Sequence, residues 1–258
     1  SGSHGGTLHD VYGQRFDING ISAGDEFRVN ETQVSGYQYT PEVVGLSNGG
    51  FAISWRDDDG SNHNDGTGVG SGYDVWMRVF DAQGVEVAGE FRVNEAHVSG
   101  SQYEPALASL SNGNFIVTWR DSDGGSHNDG TGTGSSNDVW ARIFSNDGAE
   151  VVGEFRINSY TSSSQYEPDV TALKDGGFVV TWRDDSGHDG GSGSDIRAQV
   201  HSNDGTVILP EFMVNSYSMG SQYQPAVAAL DDGGFVISWT SQYQDGSNTG
   251  VYSQRFDA

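Results

Sequence analysis

Short apolar runs recur along the whole chain, four to a unit, and no stretch shows the period of a helix. In one unit, a run of small residues at 106–110 leads through a turn to an aromatic and β-branched run at 115–119. A third run at 139–144 alternates apolar and polar positions, and the fourth lies at 154–158. Runs of this length, separated by Asn-Gly or Asp-Gly turns, predict β-strands joined in hairpins.

The units are near copies of one another. The fourth run reads EFRVN at 26–30 and 90–94, EFRIN at 154–158 and EFMVN at 211–215, so the offsets are 64, 64 and 57 residues (90−26, 154−90, 211−154). A Gln-Tyr pair follows each copy, and a proline comes two residues after the tyrosine. The prolines are Pro41, Pro105, Pro168 and Pro225.

Repetition of a four-stranded unit of about 60 residues predicts an all-β fold, a β-propeller built from four such repeats. A β-sandwich does not need near-identical repeats, and the coils of a β-helix are much shorter. The inner strands are predicted to start near residues 41, 105, 168 and 225 of a single domain spanning 7–258. Residues 1–6 are interpreted as an expression-tag remnant and linker.

The two ends of the chain carry copies of the same third strand, at 11–17 and 251–257. The chain therefore has five third strands but only four of each other type. We expect strand 26–30 to pair with the C-terminal third strand and so to close the ring. The spare copy is interpreted as part of an adjoining repeat, with flanking domains in a larger parent protein.

The charge balance excludes some partners. The chain has 36 acidic and 12 basic residues, a formal net charge of −24, which repels phosphate backbones and anionic lipid. Nucleic acid and membrane insertion are therefore not expected, and no apolar run approaches the roughly 20 residues that span a bilayer. Without cysteine, neither disulfides nor thiolate chemistry is possible. The acidity indicates either a solvated surface or carboxylates that bind cations.

The loops between second and third strands are rich in aspartate and glycine, which favours Ca²⁺ as a bound ion. Calcium takes six to eight oxygen ligands at about 2.3–2.6 Å, and glycine lets backbone carbonyls turn inward. Aspartate also suits turns, but three or more in one loop exceed what a turn requires. No loop has the EF-hand spacing. The candidate metal ligands are Asp57, Asp59, Asp65, Asp74, Asp121, Asp123, Asp129, Asp138, Asp184, Asp185, Asp189 and Asp195.

Aromatic and polar residues near the same loops are candidates for ligand binding. The repeated tyrosines are core-rim residues or a stacking platform for a sugar, with the adjacent glutamines as hydrogen-bonding groups. The three loop histidines lie in different repeats without a second His or Cys nearby, which favours a surface or ligand contact over zinc. The candidates are Tyr39, Tyr103, Tyr166, Tyr223, Gln38, Gln102, Gln165, Gln222, His63, His127 and His188.

Two further repeated positions have structural interpretations. The tryptophans that end each second strand are predicted to pack between blades, and the arginines that follow three of them are predicted to pair with nearby acids. These residues are Trp55, Trp119, Trp182 and Trp239, and Arg56, Arg120 and Arg183.

The repeat pattern resembles a family of modules in large secreted bacterial proteins of the RTX and adhesin type. The motifs that carry it are GGFVISW at 233–239, Asp-Gly at 245–246 and YSQRFD at 252–257, and the match extends over nearly the whole chain from Val11. The resemblance implies export to the medium or cell surface and a scaffold without a defined activity. The Gly-Gly-x-Gly-x-Asp coil of RTX proteins is absent, so their calcium binding does not carry over. The first three loops are also longer and more acidic than that family's short Asp-Gly loop.

These features predict a non-enzymatic calcium-binding module of a secreted or cell-surface bacterial protein, which binds carbohydrate or another surface ligand through its loop face. A structural spacer stabilised by metal ions is one alternative. A propeller glycosidase or lyase is another, but catalysis needs different residues as acid and base, and the acidic loops repeat nearly blade for blade.

Overall fold

A computed structural model describes residues 9–31, 36–58, 72–96, 100–122, 137–161, 163–187 and 192–258. The regular structure of these residues consists of seventeen antiparallel β-strands. They form one sheet of two strands, three sheets of four and one sheet of three. Among the described residues, no helix is long and apolar enough to cross a bilayer.

Each sheet is one blade or part of one, in chain order. The N-terminal half-blade consists of β1 (Tyr12–Gly13) and β2 (Phe27–Arg28). Blade 1 consists of β3 (Gln38–Gly45), β4 (Phe51–Asp57), β5 (Asp74–Phe80) and β6 (Glu86–Arg92). Blade 2 consists of β7 (Gln102–Ser109), β8 (Asn114–Asp121), β9 (Asp138–Ser145) and β10 (Glu150–Arg156). Blade 3 consists of β11 (Gln165–Ala172), β12 (Phe178–Asp184), β13 (Asp195–His201) and β14 (Val207–Met213). Blade 4 consists of β15 (Gln222–Ala229), β16 (Phe235–Gln242) and β17 (Thr249–Phe256).

The predicted four-stranded repeat is confirmed. Blades 1 to 3 are meanders in which consecutive strands pair, and the first strand of each contacts the first strand of the next blade. These first strands are therefore the inner ones. The third strands of blades 1 to 3 are buried along almost their whole length because their side chains pack against neighbouring blades.

The core lies between blades. Leu46 and Ala52 of blade 1 pack against Phe115 and Trp119 of blade 2, and the next two junctions repeat this pattern. Trp55, Trp119 and Trp182 are 0% exposed and Trp239 is 5% exposed, which confirms their predicted role between blades. Burial of such large aromatic side chains contributes about 1.5–3 kcal/mol each.

The inner strands share a strained backbone position. The residue before each repeated proline has a positive φ: Thr40 (48°), Glu104 (55°), Glu167 (55°) and Gln224 (53°). The strand register also shifts there in all four blades. A non-glycine residue in this region costs on the order of 1–3 kcal/mol, so the surrounding packing must hold it in place.

The expected pairing of strand 26–30 with the C-terminal third strand is wrong. Strand β2 pairs with β1, and β17 pairs with β16 alone among the described strands. The chain between β1, which ends at Gly13, and β2, which begins at Phe27, folds back on itself: Phe16 bridges Ser22, and Asp17 accepts the amide hydrogens of Asn19 and Ile21. Because this connection is much shorter than the chain between β2 and β17, closing it costs less entropy, which favours the local hairpin. The described strands thus end in an incomplete blade on each side.

Candidate ligand-binding site

One edge of the blades collects most of the predicted chemistry. In blade 1, Gln38 at the start of the inner strand lies opposite Asp57 at the end of the second, and Asp57 lies opposite Asp74 at the start of the third. Arg92, at the end of the fourth strand, lies opposite Trp76 near that same end. The loops from second to third and from fourth to first strands therefore leave one edge, as predicted. We call it the top edge.

Tyrosine and arginine alternate along the inner part of the top edge. Arg56 lies opposite Tyr39 in the strand register, and its guanidinium carbon is 4.8 Å from that ring and 5.4 Å from the ring of Tyr103 in the next blade. Arg120 is 4.2 Å from the ring of Tyr103 and 5.1 Å from that of Tyr166. Cations within about 6 Å of a ring centroid are attracted to its face. We call the six residues Tyr39, Arg56, Tyr103, Arg120, Tyr166 and Arg183 the tyrosine–arginine arc.

The arc differs between its two ends. In blade 4, Tyr223 lies opposite Thr240, so the arginine is missing. At blade 1, the rings of Tyr37 and Tyr39 stack at 5.7 Å and His9 approaches both edge-on. Tyr73 adds a further ring, 4.4 Å from Arg56.

The sequence interpretation did not include His9, Tyr37 or Tyr73 because none of them recurs in every repeat. Tyr37 and Tyr73 directly precede the candidates Gln38 and Asp74, and that adjacency was the available signal.

Carboxylates accompany the arc, in part as predicted for its arginines. Arg183 pairs with Asp185 at 2.9 Å and Arg120 with Glu104 at 3.6 Å. Arg56 instead contacts tyrosine rings within the described part of the chain. The Glu104 carboxylate also accepts the amide hydrogen of Glu167 in the next blade, at 2.8 Å. The top edge thus combines aromatic faces, cationic donors and anionic acceptors.

A second set of residues links the blades at the same edge. Asn94 donates from Nδ2 to Asp74 Oδ1 at 2.7 Å and to Gln102 Oε1 of the next blade at 3.0 Å. Its Oδ1 accepts the amide hydrogen of Val75 at 2.9 Å. Equivalent bonds join Asn30 to Asp10 and Gln38, and Asn158 to Asp138 and Gln165. We call this network the amide–carboxylate belt.

The described members of the candidate metal set lie mostly in this belt. Asp57, Asp74, Asp121, Asp138, Asp184 and Asp195 are at most 4% exposed. Asn or Gln amides donate to Asp57, Asp74, Asp138, Asp184 and Asp195, and Asp185 pairs with Arg183. Over the described ranges, no group of three or more Asp, Glu or His side chains could hold a metal ion. Asp59, Asp65, Asp123, Asp129, Asp189, His63, His127 and His188 lie outside the described residues, and calcium stays a prediction.

Ligand contact through the repeated glutamines stays a prediction, and the structure places their side chains in buried positions. Gln38 is 3% exposed and Gln102, Gln165 and Gln222 are 0% exposed. Gln165 donates to Asp184 at 3.1 Å, and Gln222 donates to the carbonyl of Gly220 at 3.2 Å. The repeated tyrosines, by contrast, are partly exposed in all four blades. Their rings are therefore the accessible part of each Gln-Tyr pair.

Two carboxyl groups occupy the inner strands one residue after the proline. They are Glu42 in blade 1 and Asp169 in blade 3, whereas blades 2 and 4 have alanine there. Burial raises the pKa of Asp169, although its oxygens accept amide hydrogens from Val227 and Val170. Burial, and then the negative charge of Asp169, raise the pKa of Glu42. The two groups are close enough for their charges to interact.

Neither protein-family models nor curated proteins match the chain. Solved structures do. A polysaccharide lyase of family PL25, an ulvan lyase, aligns over 90% of this chain and 55% of its own at 13% identity, with a TM-score of 0.56. A Hadza microbial sialidase aligns over 86% of this chain and 46% of its own at 12% identity, with a TM-score of 0.56. The α-L-arabinanase of Penicillium chrysogenum aligns over 86% of this chain and 57% of its own at 12% identity, with a TM-score of 0.51.

The fold is that of a β-propeller. At such low identity the likeness concerns the fold alone, and the chain spans about half the length of these three proteins. No family model or curated protein matches, so the resemblance to RTX or adhesin repeats stays a prediction.

Proposed function

We propose that this propeller is a non-enzymatic carbohydrate-binding module of a secreted or cell-surface bacterial protein, and that its ligand binds along the tyrosine–arginine arc. The observation that carries the proposal is the alternation of tyrosine rings and guanidinium groups across three blades. Aromatic faces present flat apolar area to a sugar ring, and guanidinium groups donate hydrogen bonds to hydroxyl or carboxylate oxygens.

The repetition itself favours binding over catalysis. Each of three blades contributes the same Tyr-Arg pair, which suits a polymer with repeating units. A general acid and a general base need different surroundings, which identical pairs do not provide. Calcium bound in the acidic loops would neutralise their carboxylates, and we include it in the proposal.

Affinity electrophoresis against polysaccharides, run with Ca²⁺, tests the proposal. The proteins of similar fold are named for action on ulvan, on arabinan and on sialosides, so these glycans form the first panel. Arg120→Ala should weaken binding about tenfold, because it removes a cation held between two rings. The matched control is Arg255→Ala, since Arg255 is 57% exposed and lies outside the arc. Equal binding by both variants contradicts the arc, and no binding to any glycan favours the spacer alternative.

A glycosidase or lyase is the second candidate, and one observation favours it. Glu42 and Asp169 form a pair that occurs in only two of the four repeats, and both have a raised pKa. A carboxyl group with a raised pKa is suited to act as a general acid. The same glycans are therefore assayed for chain cleavage. Cleavage that disappears in Glu42→Gln would replace the binding proposal with a catalytic one.

A further inference from the structure

The junction between the N-terminal half-blade and blade 1 is open. A groove of about 360 Å³ lies there, bounded by Tyr12 and Phe27 on one side and by Val43 and Ile53 on the other. In the complete junctions, this place is filled by the two inner strands of the preceding blade, as when Ala52 packs against the second strand of blade 2. In the described part of the chain, the N-terminal half-blade consists of the two outer strands β1 and β2.

Apolar side chains at this junction are more exposed than the side chains at the same repeat positions in other blades. Val43 is 66% exposed, whereas the equivalent Val170 of blade 3 is 6% exposed. Phe51 is partly exposed, whereas Phe115 and Phe178 are 0% exposed. The groove is therefore shaped to receive an inner β-hairpin of this same repeat type.

The opposite end of the chain has such a hairpin in an incomplete blade. Blade 4 has its two inner strands and a third strand, β17, that is exposed at most positions, including Val251 at 81%. The third strands of blades 1 to 3 are buried. The inner hairpin of these blades therefore cannot replace its third strand with another strand unless the blade unfolds. Among the third strands of the four blades, β17 is the most exposed and therefore the most accessible to displacement.

The N-terminal strand can replace β17 residue for residue. Residues 11–17 are identical to residues 251–257 at six of seven positions. In β17, Tyr252, Gln254 and Phe256 lie opposite Trp239, Ile237 and Phe235 of β16, and the N-terminal copies of these three residues are Tyr12, Gln14 and Phe16. An exchange would therefore reproduce the pairing it disrupts.

We propose that a second copy of this chain closes the groove by strand exchange. The hairpin β15–β16 of one copy enters the groove of the other and pairs with its β1 segment, which takes the place of β17. The resulting blade has four strands, two from each copy, because β2 follows β1 as the outer strand. The exchange conserves the β16 pairing, covers Val43 and Phe51, and supplies the fourth strand that blade 4 lacks.

Engineered cysteines test this exchange, since the chain has none of its own. Val236 lies opposite Arg255 within blade 4, and Arg15 is the N-terminal equivalent of Arg255. Side chains directly opposite in an antiparallel pair have Cβ atoms about 4.5–5.5 Å apart, close to disulfide geometry. We expect Arg15→Cys with Val236→Cys to form disulfide-linked dimers or larger head-to-tail species on oxidation. The matched control, Arg255→Cys with Val236→Cys, should cross-link within one chain when no exchange occurs.

Two outcomes overturn the proposal. A cross-linked monomer of the Arg15–Val236 variant would show that the chain closes on itself, and no cross-link would show that the two segments do not meet. Light scattering of the unmodified chain gives a second measurement. We expect the average molecular mass to rise with protein concentration. Gln14→Pro should reduce association about fivefold, because it removes a backbone hydrogen-bond donor from the segment that pairs with β16 of the other copy. Association that is independent of concentration and unaffected by Gln14→Pro would contradict the exchange.

Discussion

His201 occupies a position that phenylalanine holds in the other third strands. Phe178 lies opposite His201 in the register, just as Phe51 lies opposite Phe80 and Phe115 opposite Phe144. The imidazole is 1% exposed and stacks on the Phe178 ring at 5.0 Å. Burial lowers the pKa of His201 more than its contact with the Gly205 carbonyl raises it. The ring is therefore held in its neutral form.

This burial predicts a pH-dependent loss of stability. Because the pKa of His201 is lower in the folded chain, the unfolded chain takes up the proton first as the pH falls below about 6.5. The contribution of His201 to the free energy of unfolding is fully present above that pH. It declines as the pH falls towards the pKa that His201 has in the folded chain. His201→Phe should flatten the profile between about pH 7 and pH 5 and raise stability at the acid end. Urea unfolding of the unmodified chain and of His201→Phe across this pH range checks the prediction. Parallel curves of unfolding free energy against pH would contradict it.

At the scale of the element, the amide–carboxylate belt holds neighbouring blades together. Asn30, Asn94 and Asn158 each follow the last strand of one blade and donate to the glutamine that begins the next blade. Asn94 also receives the amide hydrogen of its own third strand, from Val75. One buried side chain thus joins two strands of one blade and the inner strand of another. The residue with positive φ before each proline lies two residues after the glutamine of its inner strand. The hydrogen bonds of that glutamine hold the strand close to the strained position.

Removing a belt asparagine should destabilise the propeller strongly. Asn94→Ala leaves Asp74, Gln102 and the Val75 amide without their shared partner in a buried site, which costs about 2–4 kcal/mol. The matched control is Asn112→Ala, because Asn112 lies in an exposed hairpin turn and accepts only the Asn114 amide hydrogen. Its cost should stay near 0.5–1 kcal/mol, roughly that of one exposed hydrogen bond. Equal unfolding free energies for the two variants in urea would contradict the role of the belt.

At the scale of the whole molecule, the net charge of −24 opposes compaction. Calcium bound by the acidic loops would relieve part of this repulsion. We expect the melting temperature of chelated protein to rise by many degrees on addition of millimolar Ca²⁺ and by little with Mg²⁺, because binding to the folded state alone shifts the equilibrium. Ionic strength is matched with NaCl, since general screening also favours a highly charged fold. No shift, or an equal shift with Mg²⁺, would contradict calcium sites and leave the loops as a solvated acidic surface.

The strands, their order within a blade, the buried tryptophans and the edge from which the long loops leave could all be predicted from the sequence. These follow from local signals, namely the period of apolar residues and the residues that form tight turns. Even the spare third strand was visible as a repeat count, because residues 11–17 copy residues 251–257.

Which of these residues meet across blades depends on how the blades pack in three dimensions. Arg56 lies near Tyr103, 47 residues further along, and Asn94 reaches a glutamine that belongs to a different blade. Only the packing of blades shows that Gln102 is buried while its neighbour Tyr103 is partly exposed, since adjacent residues of a strand face opposite sides. The partner of strand β2 was decided in the same way. Two third strands of nearly identical sequence, β1 and β17, are available to pair with β2. The connection from β1 is much shorter than the chain from β2 to β17, so the local pairing has the lower entropic cost.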